Sequence, residues 1–185
     1  MIDNSENVYI PFHLKCGLTA QCSLEVFDVV PQILDVIEKD VFNCIKALPA
    51  SVHELVRRTN IWINVTYSYG QSDHPTVLKH TAAHHYEKWL ICTKDIPEKV
   101  LGIEIYNCFE YLQNRNHWNG CGLLLHEFCH LIHQLVLPDG LSNQDVKNMY
   151  GLAMKSKKYQ EVLRLEERML LFSVIILIFV LQKGR

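Results

Sequence analysis

Between Gly122 and Leu137 the chain reads GLLLHEFCHLIHQLVL, an apolar run interrupted only by three histidines, one glutamate and one glutamine. On a helix turning about 100° per residue, His126, Glu127, His130, His133 and Gln134 share an arc of roughly 120°, and Phe128, Cys129, Leu131, Ile132, Leu135 and Val136 fill the rest. Such a helix must be wrapped by the remainder of the chain on nearly every side. Its polar stripe then needs partners, because imidazoles and a carboxylate are costly to bury alone, and a metal ion with its water would offset that cost. Asn119 is expected to cap the helix, with Trp118 packing on Leu123 as a hydrophobic staple.

His126-Glu127-Phe128-Cys129-His130 has the HExxH spacing, in which histidines four apart stand one turn above each other and converge on one zinc ion. The glutamate beside the first histidine can take a proton from zinc-bound water, whose pKa the metal lowers to about 7. His126 and His130 are therefore the candidate zinc ligands and Glu127 the candidate catalytic base. His133 lies seven residues after His126, about 10 Å along the same helix, too far for both to reach one ion. It is assigned to the second shell or the substrate cleft, with a structural polar contact as the alternative. His117, just before Trp118, could orient substrate or stabilise an oxyanion, although a loop histidine needs no such role. The metzincin pattern requires Gly where His133 stands and His where Val136 stands, and is excluded.

The other elements are read from periodicity. Ile33, Ile37, Val41, Ile45 and Leu48 predict an amphipathic helix over 31–48, bracketed by Pro31 and Pro49. Ser51 and Glu54 have the spacing of a capping box for a short helix ending near Arg58. Residues 61–69 alternate as one strand, 103–109 form a second strand, and 76–92 stay open between strand and helix. Val146, Met149, Tyr150, Ala153 and Met154 predict a further helix from about Ser142 to Tyr159. The order of helices, a few strands, then helices indicates an α+β domain with a small sheet. Asn64-Val65-Thr66 is formally a glycosylation sequon but reads as strand composition.

At 185 residues one domain with a real core is expected. Lys and Arg number 18 against 20 Asp and Glu, a net charge of -2, which implies no attraction to nucleic acid. The seven cysteines form no CxxC pair, so reduced thiols and a cytoplasmic setting are expected, and no secretory signal is visible at the N-terminus. His80, His84 and His85 form a second histidine cluster with no acid or cysteine at a metal spacing, and cleft or structural roles are expected for them.

Residues 117–134, HWNGCGLLLHEFCHLIHQ, resemble the zincin metallopeptidases, specifically an animal family of that fold. The likeness covers about Ile61 to Arg164 and includes the strand from Ile61, HTAAHH (80–85), PEKVLGIEIYNC (97–108) and the helix beginning near Ser142. It implies a zincin-like domain in which IEIYNC is a strand beside an HExxH helix, with Zn2+ as cofactor and a peptide or protein as substrate. Gluzincins, the nearest subclass, take a third ligand from a glutamate on a later helix, often in an FxAE segment that has no counterpart in this sequence. Glu166, or Glu167 beside it, is the candidate for that place, while Glu161, Glu166 and Glu167 also read as a solvated face and Asp145 as a helix cap. Deformylases instead use an upstream cysteine, for which Cys108 is the alternative. Residues 1–168 are thus expected to form one zincin-like domain, followed by a short apolar tail, 169–185. Its 13-residue core, MLLFSVIILIFVL (169–181), spans about 20 Å as a helix against the roughly 30 Å of a bilayer core. Burial within the fold is the first expectation for it and membrane contact the alternative. The resemblance ends where this run begins, which points to an alternative or truncated C-terminus and to either a zinc metalloendopeptidase or a catalytically impaired zincin-like module.

Overall fold

A computed structural model describes residues 1–155 of the chain. It is mixed α and β, built around a five-stranded sheet with its principal helices packed on one face. The chain opens with a hairpin of β1 (Tyr9–His13) and β2 (Thr19–Ser23), turning at Gly17, whose φ of 89° suits glycine. A short α1 (Glu25–Val29) leads to α2 (Gln32–Ala47), whose buried Ile33, Ile37, Val41 and Cys44 follow the expected spacing. This helix ends at Leu48, ahead of Pro49, as the sequence indicates.

The capping box does not form. Ser51 falls inside a 3-10 turn over Ala50–Val52, and α3 (His53–Arg58) starts after Val52 with no side-chain cap. Glu54 instead accepts a hydrogen bond from Arg58 Nε at 2.8 Å, one helical turn away.

The strand expected over 61–69 is two strands in two sheets. β3 (Ile61–Ile63) is fully buried, and β4 (Tyr67–Gln71) pairs antiparallel with β5 (His74–Leu78) in a separate hairpin. Asn64 causes the break: its side chain donates to Glu104 Oε1 at 2.8 Å and accepts from Tyr9 Oη at 2.7 Å, so the chain leaves the sheet there. Asn64 is 3% exposed, and the formal sequon therefore offers no accessible amide. The ambiguous stretch divides into β5, β6 (Thr81–Ala83) and α4 (Glu87–Cys92). The second strand, β7 (Ile103–Ile105), is shorter than expected because Asn107 accepts a hydrogen bond from Glu110 N at 3.0 Å and starts α5 (Cys108–Asn114). The histidine helix is α6 (Gly122–Leu135), and α7 is Gln144–Lys155. The start of α7 is capped by Asn143, which accepts from Val146 N at 2.9 Å, while Asp145 lies inside the first turn rather than at the cap.

The sheet order is β1-β2-β3-β7-β6, with β2, β3 and β7 parallel and the two outer strands antiparallel to their neighbours. Central strands covered on both faces read as apolar runs, and β3 and β7 are IWI and IEI. Ile61, Ile63, Ile103 and Ile105 join Ile37 and Val41 of α2 and Leu124 and Phe128 of α6 in one core. Trp62 and Glu104, paired in register, point to the opposite face. On that face lies a buried polar cluster: Lys99 Nζ contacts Asp95 at 2.9 Å and Glu104 at 2.5 Å, and His84 Nε2 lies 2.7 Å from Glu104 Oε2. None of the seven cysteines, all of which lie among the described residues, forms a disulfide. Among the described residues no helix is long and apolar enough to cross a membrane, and the apolar run at 169–181 lies outside them.

Candidate metal centre

Helix α6 lies against the outer strand β6 and against α2. Its start differs from the sequence reading: Asn119 does not cap it, and Asn119 and Gly120 adopt φ of 55° and 84° in the turn before Cys121, the residue preceding the helix. That turn brings the ring of Trp118 to 5.9 Å from the ring of His126. Trp118 and Leu123 line one cavity, and the Trp118 ring stands beside the first histidine.

His126 is 1% exposed and Glu127 3% exposed. The Nε2 atoms of His126 and His130 approach to 2.9 Å, with their rings at 88° and centroids 4.5 Å apart. Two imidazoles bound to one tetrahedral zinc at 2.0–2.1 Å would hold their nitrogens about 3.3 Å apart, so the pair needs only a few tenths of an ångström of adjustment. Burial, reinforced by His126, His85 and His133 nearby, pushes the His130 imidazole down to about 3, which keeps it neutral with a lone pair to donate. The pair thus supplies two imidazole nitrogens at a spacing close to that of two ligands on one zinc.

Glu127 points to the outer strand, where its Oε2 accepts the Ala83 N–H at 2.8 Å. Burial pushes its carboxyl up to about 8, against the downward pull of that hydrogen bond. The N–H and C=O of Thr81 and Ala83 face away from the sheet, since His80 and His84 carry the backbone bonds toward β7.

His85 Nδ1 lies 2.6 Å from Gln134 Oε1, and Gln134 Nε2 donates to the His85 carbonyl at 3.1 Å. Gln134 thus grips His85 twice and sets its ring 5.4 Å from that of His130. His133 is buried, within electrostatic reach of His85 and Lys147. His117 is exposed and lines a cavity of about 330 Å³ with Lys79, Thr81, Tyr111 and Trp118.

Cys108 does not reach the histidine pair. It sits in the hydrophobic core near Cys22, where burial pushes its thiol up to about 12. Among the described residues no group of three His, Cys, Asp or Glu side chains is arranged to hold one metal ion. Glu161, Glu166 and Glu167 lie outside the described residues.

The sequence marks the histidines and Glu127 but not the Ala83 amide or the Gln134 grip on His85, which depend on the meeting of α6 with β6. Glu104 does leave a signal, a lone carboxylate between two isoleucines of a central strand. Comparison of the chain with known protein families, with curated proteins and with solved structures finds no match.

Proposed function

We propose that the chain is a zincin-like, zinc-dependent peptide hydrolase with His126 and His130 as protein ligands and Glu127 as catalytic base. The observation that carries this reading is the convergence of the two Nε2 atoms at 2.9 Å beside a buried carboxyl anchored on the outer strand. Zinc bound there supplies a Lewis acid that lowers the pKa of a water and polarises a carbonyl.

The chain's own residues do the rest. Glu127 would take up a proton at its carboxylate and pass it on toward a leaving amide nitrogen. The outward-facing backbone of Thr81 and the Ala83 carbonyl can hold an extended peptide at the edge of β6, the Ala83 N–H being taken by Glu127. Trp118 covers one side of His126 and limits water. His85, held by Gln134, stands beside His130 as a hydrogen-bonding group for substrate.

The alternative is a zincin-like binding module with impaired catalysis, favoured by the lack of a three-residue ligand set among the described residues. Elemental analysis of the purified full chain should find one zinc per chain in wild type and in Glu127→Gln, and little in His126→Ala. A peptide library should be cleaved by wild type and left intact by Glu127→Gln. Stoichiometric zinc with equal, null hydrolysis in wild type and Glu127→Gln would leave only the binding module. Wild-type protein without zinc would remove the hydrolase reading.

A further inference from the structure

A cavity of about 670 Å³ lies beneath the outer strand β6, on the face of the sheet opposite α6. Its walls are Tyr69, Leu78, His80, Ala82, Trp89 and Tyr106, drawn from both strands of the second hairpin, from β6 and α4, and from the segment after β7. The aromatic rings brace one another, with Tyr69–Trp89 centroids at 5.8 Å, Trp89–Tyr106 at 5.9 Å and His80–Tyr106 at 5.1 Å. A size of this order with a mainly aromatic lining is that of a ligand site.

Ala83 and His85 also border this cavity. Ala83 donates its N–H to Glu127, and the ring of His85 stands 5.4 Å from that of His130. The cavity and the candidate metal centre therefore flank the same strand and share Ala83 and His85 as neighbours. Ala82 pairs with Glu104 and so points to the cavity side of the sheet. A substrate residue that paired with Ala82 would share that face and direct its side chain down among the rings.

We infer that this cavity is a specificity pocket that takes a flat apolar side chain, phenylalanine, tyrosine or tryptophan, of a peptide bound along β6. This deepens the hydrolase reading and rests on it for the position of the peptide. Offset and edge-on ring contacts favour an aromatic occupant over an aliphatic one. Lys88 at the border opposes lysine and arginine. Burial pushes the His80 imidazole down, against the opposing pull of Glu104.

The test uses N-acetyl-phenylalaninamide and N-acetyl-alaninamide as probes, titrated calorimetrically into the zinc-loaded full chain. The phenylalanine probe should bind at least tenfold more tightly. Ala82→Trp and Leu78→Trp, which fill the cavity from two different elements, should each weaken it at least tenfold while zinc content and thermal midpoint stay near wild type. In the wild-type protein, nuclear Overhauser contacts from the phenyl ring to Trp89 and Tyr106 report the same site without relying on a variant. Equal affinity for the two probes, binding unchanged in folded variants, or contacts elsewhere would overturn the pocket. Selective binding without hydrolysis of any library peptide would leave the pocket standing and remove the hydrolase. Hydrolysis without preference for an aromatic residue, unaffected by Ala82→Trp, would do the reverse.

Discussion

At the scale of single residues, the candidate centre depends on burial. The same desolvation that raises Glu127 lowers His130, so burial favours the neutral form of both groups on one helix. A second residue-scale determinant is Asn107, whose side chain satisfies the Glu110 amide and ends the strand where α5 begins. Asn107→Ala should cost about 1 kcal/mol, the usual loss for a helix cap, read as a lowered denaturant midpoint with unchanged slope. His126, Glu127 and His130 were legible in the sequence because the four-residue spacing is local. Asn107 and Asn64 were not, because an asparagine acts as cap, turn former or strand breaker according to neighbours brought by the fold.

At the scale of elements, β6 and β7 are held by the cluster of Lys99, Asp95, Glu104 and His84. Lys99 and Glu104 are both 0% exposed, so each ion relies on the others for solvation. Burial alone would raise Glu104, but the hydrogen bond from His84 and the Lys99 charge hold its carboxyl below the ordinary value. Burial alone would lower Lys99, but Glu104, Tyr9 and Asp95 hold its ammonium above the ordinary value. Lys99→Met and Glu104→Gln should each destabilise by about 3–5 kcal/mol, and the double variant by less than their sum, as a double-mutant cycle would measure. A depressed carboxyl contributes stability that is present above its unfolded pKa of 4.5 and lost as pH falls through the folded value. A raised lysine contributes stability that is present below its unfolded pKa of 10.5 and lost as pH rises through the folded value. The gap in unfolding free energy between wild type and Glu104→Gln should therefore shrink as pH falls below about 4.5. From the sequence, His84 was expected in a cleft or structural role, and Lys99, Asp95 and Glu104 were given none.

At the scale of the whole molecule, α6 joins the core of α2, the sheet and α7 and is the piece around which the domain closes. Leu124 is fully buried in that core. Leu124→Ala should cost about 2–5 kcal/mol, lowering the thermal midpoint by about 2–4 °C for each kcal/mol in a chain of this size. Zinc that binds only the folded state should raise the midpoint of both wild type and Leu124→Ala, a shift that scanning calorimetry with and without a chelator would read. Asp40 of α2 adds a polar tie, accepting from Tyr111 Oη at 2.9 Å and Arg115 Nε at 2.8 Å.

By itself the sequence determined the mixed class, the amphipathic α2, the buried α6 with its polar stripe, and the pair of histidines with the adjacent glutamate, because each rests on periodicity within one segment. The tertiary structure alone decided that residues 61–69 split between two sheets, that Ala83 meets Glu127, that Gln134 grips His85, and that an aromatic cavity opens under β6. Those features join residues far apart in the sequence, 44 positions for Ala83 and Glu127 and 49 for His85 and Gln134, or turn on which of several hydrogen bonds an asparagine makes, and local periodicity carries no information about either.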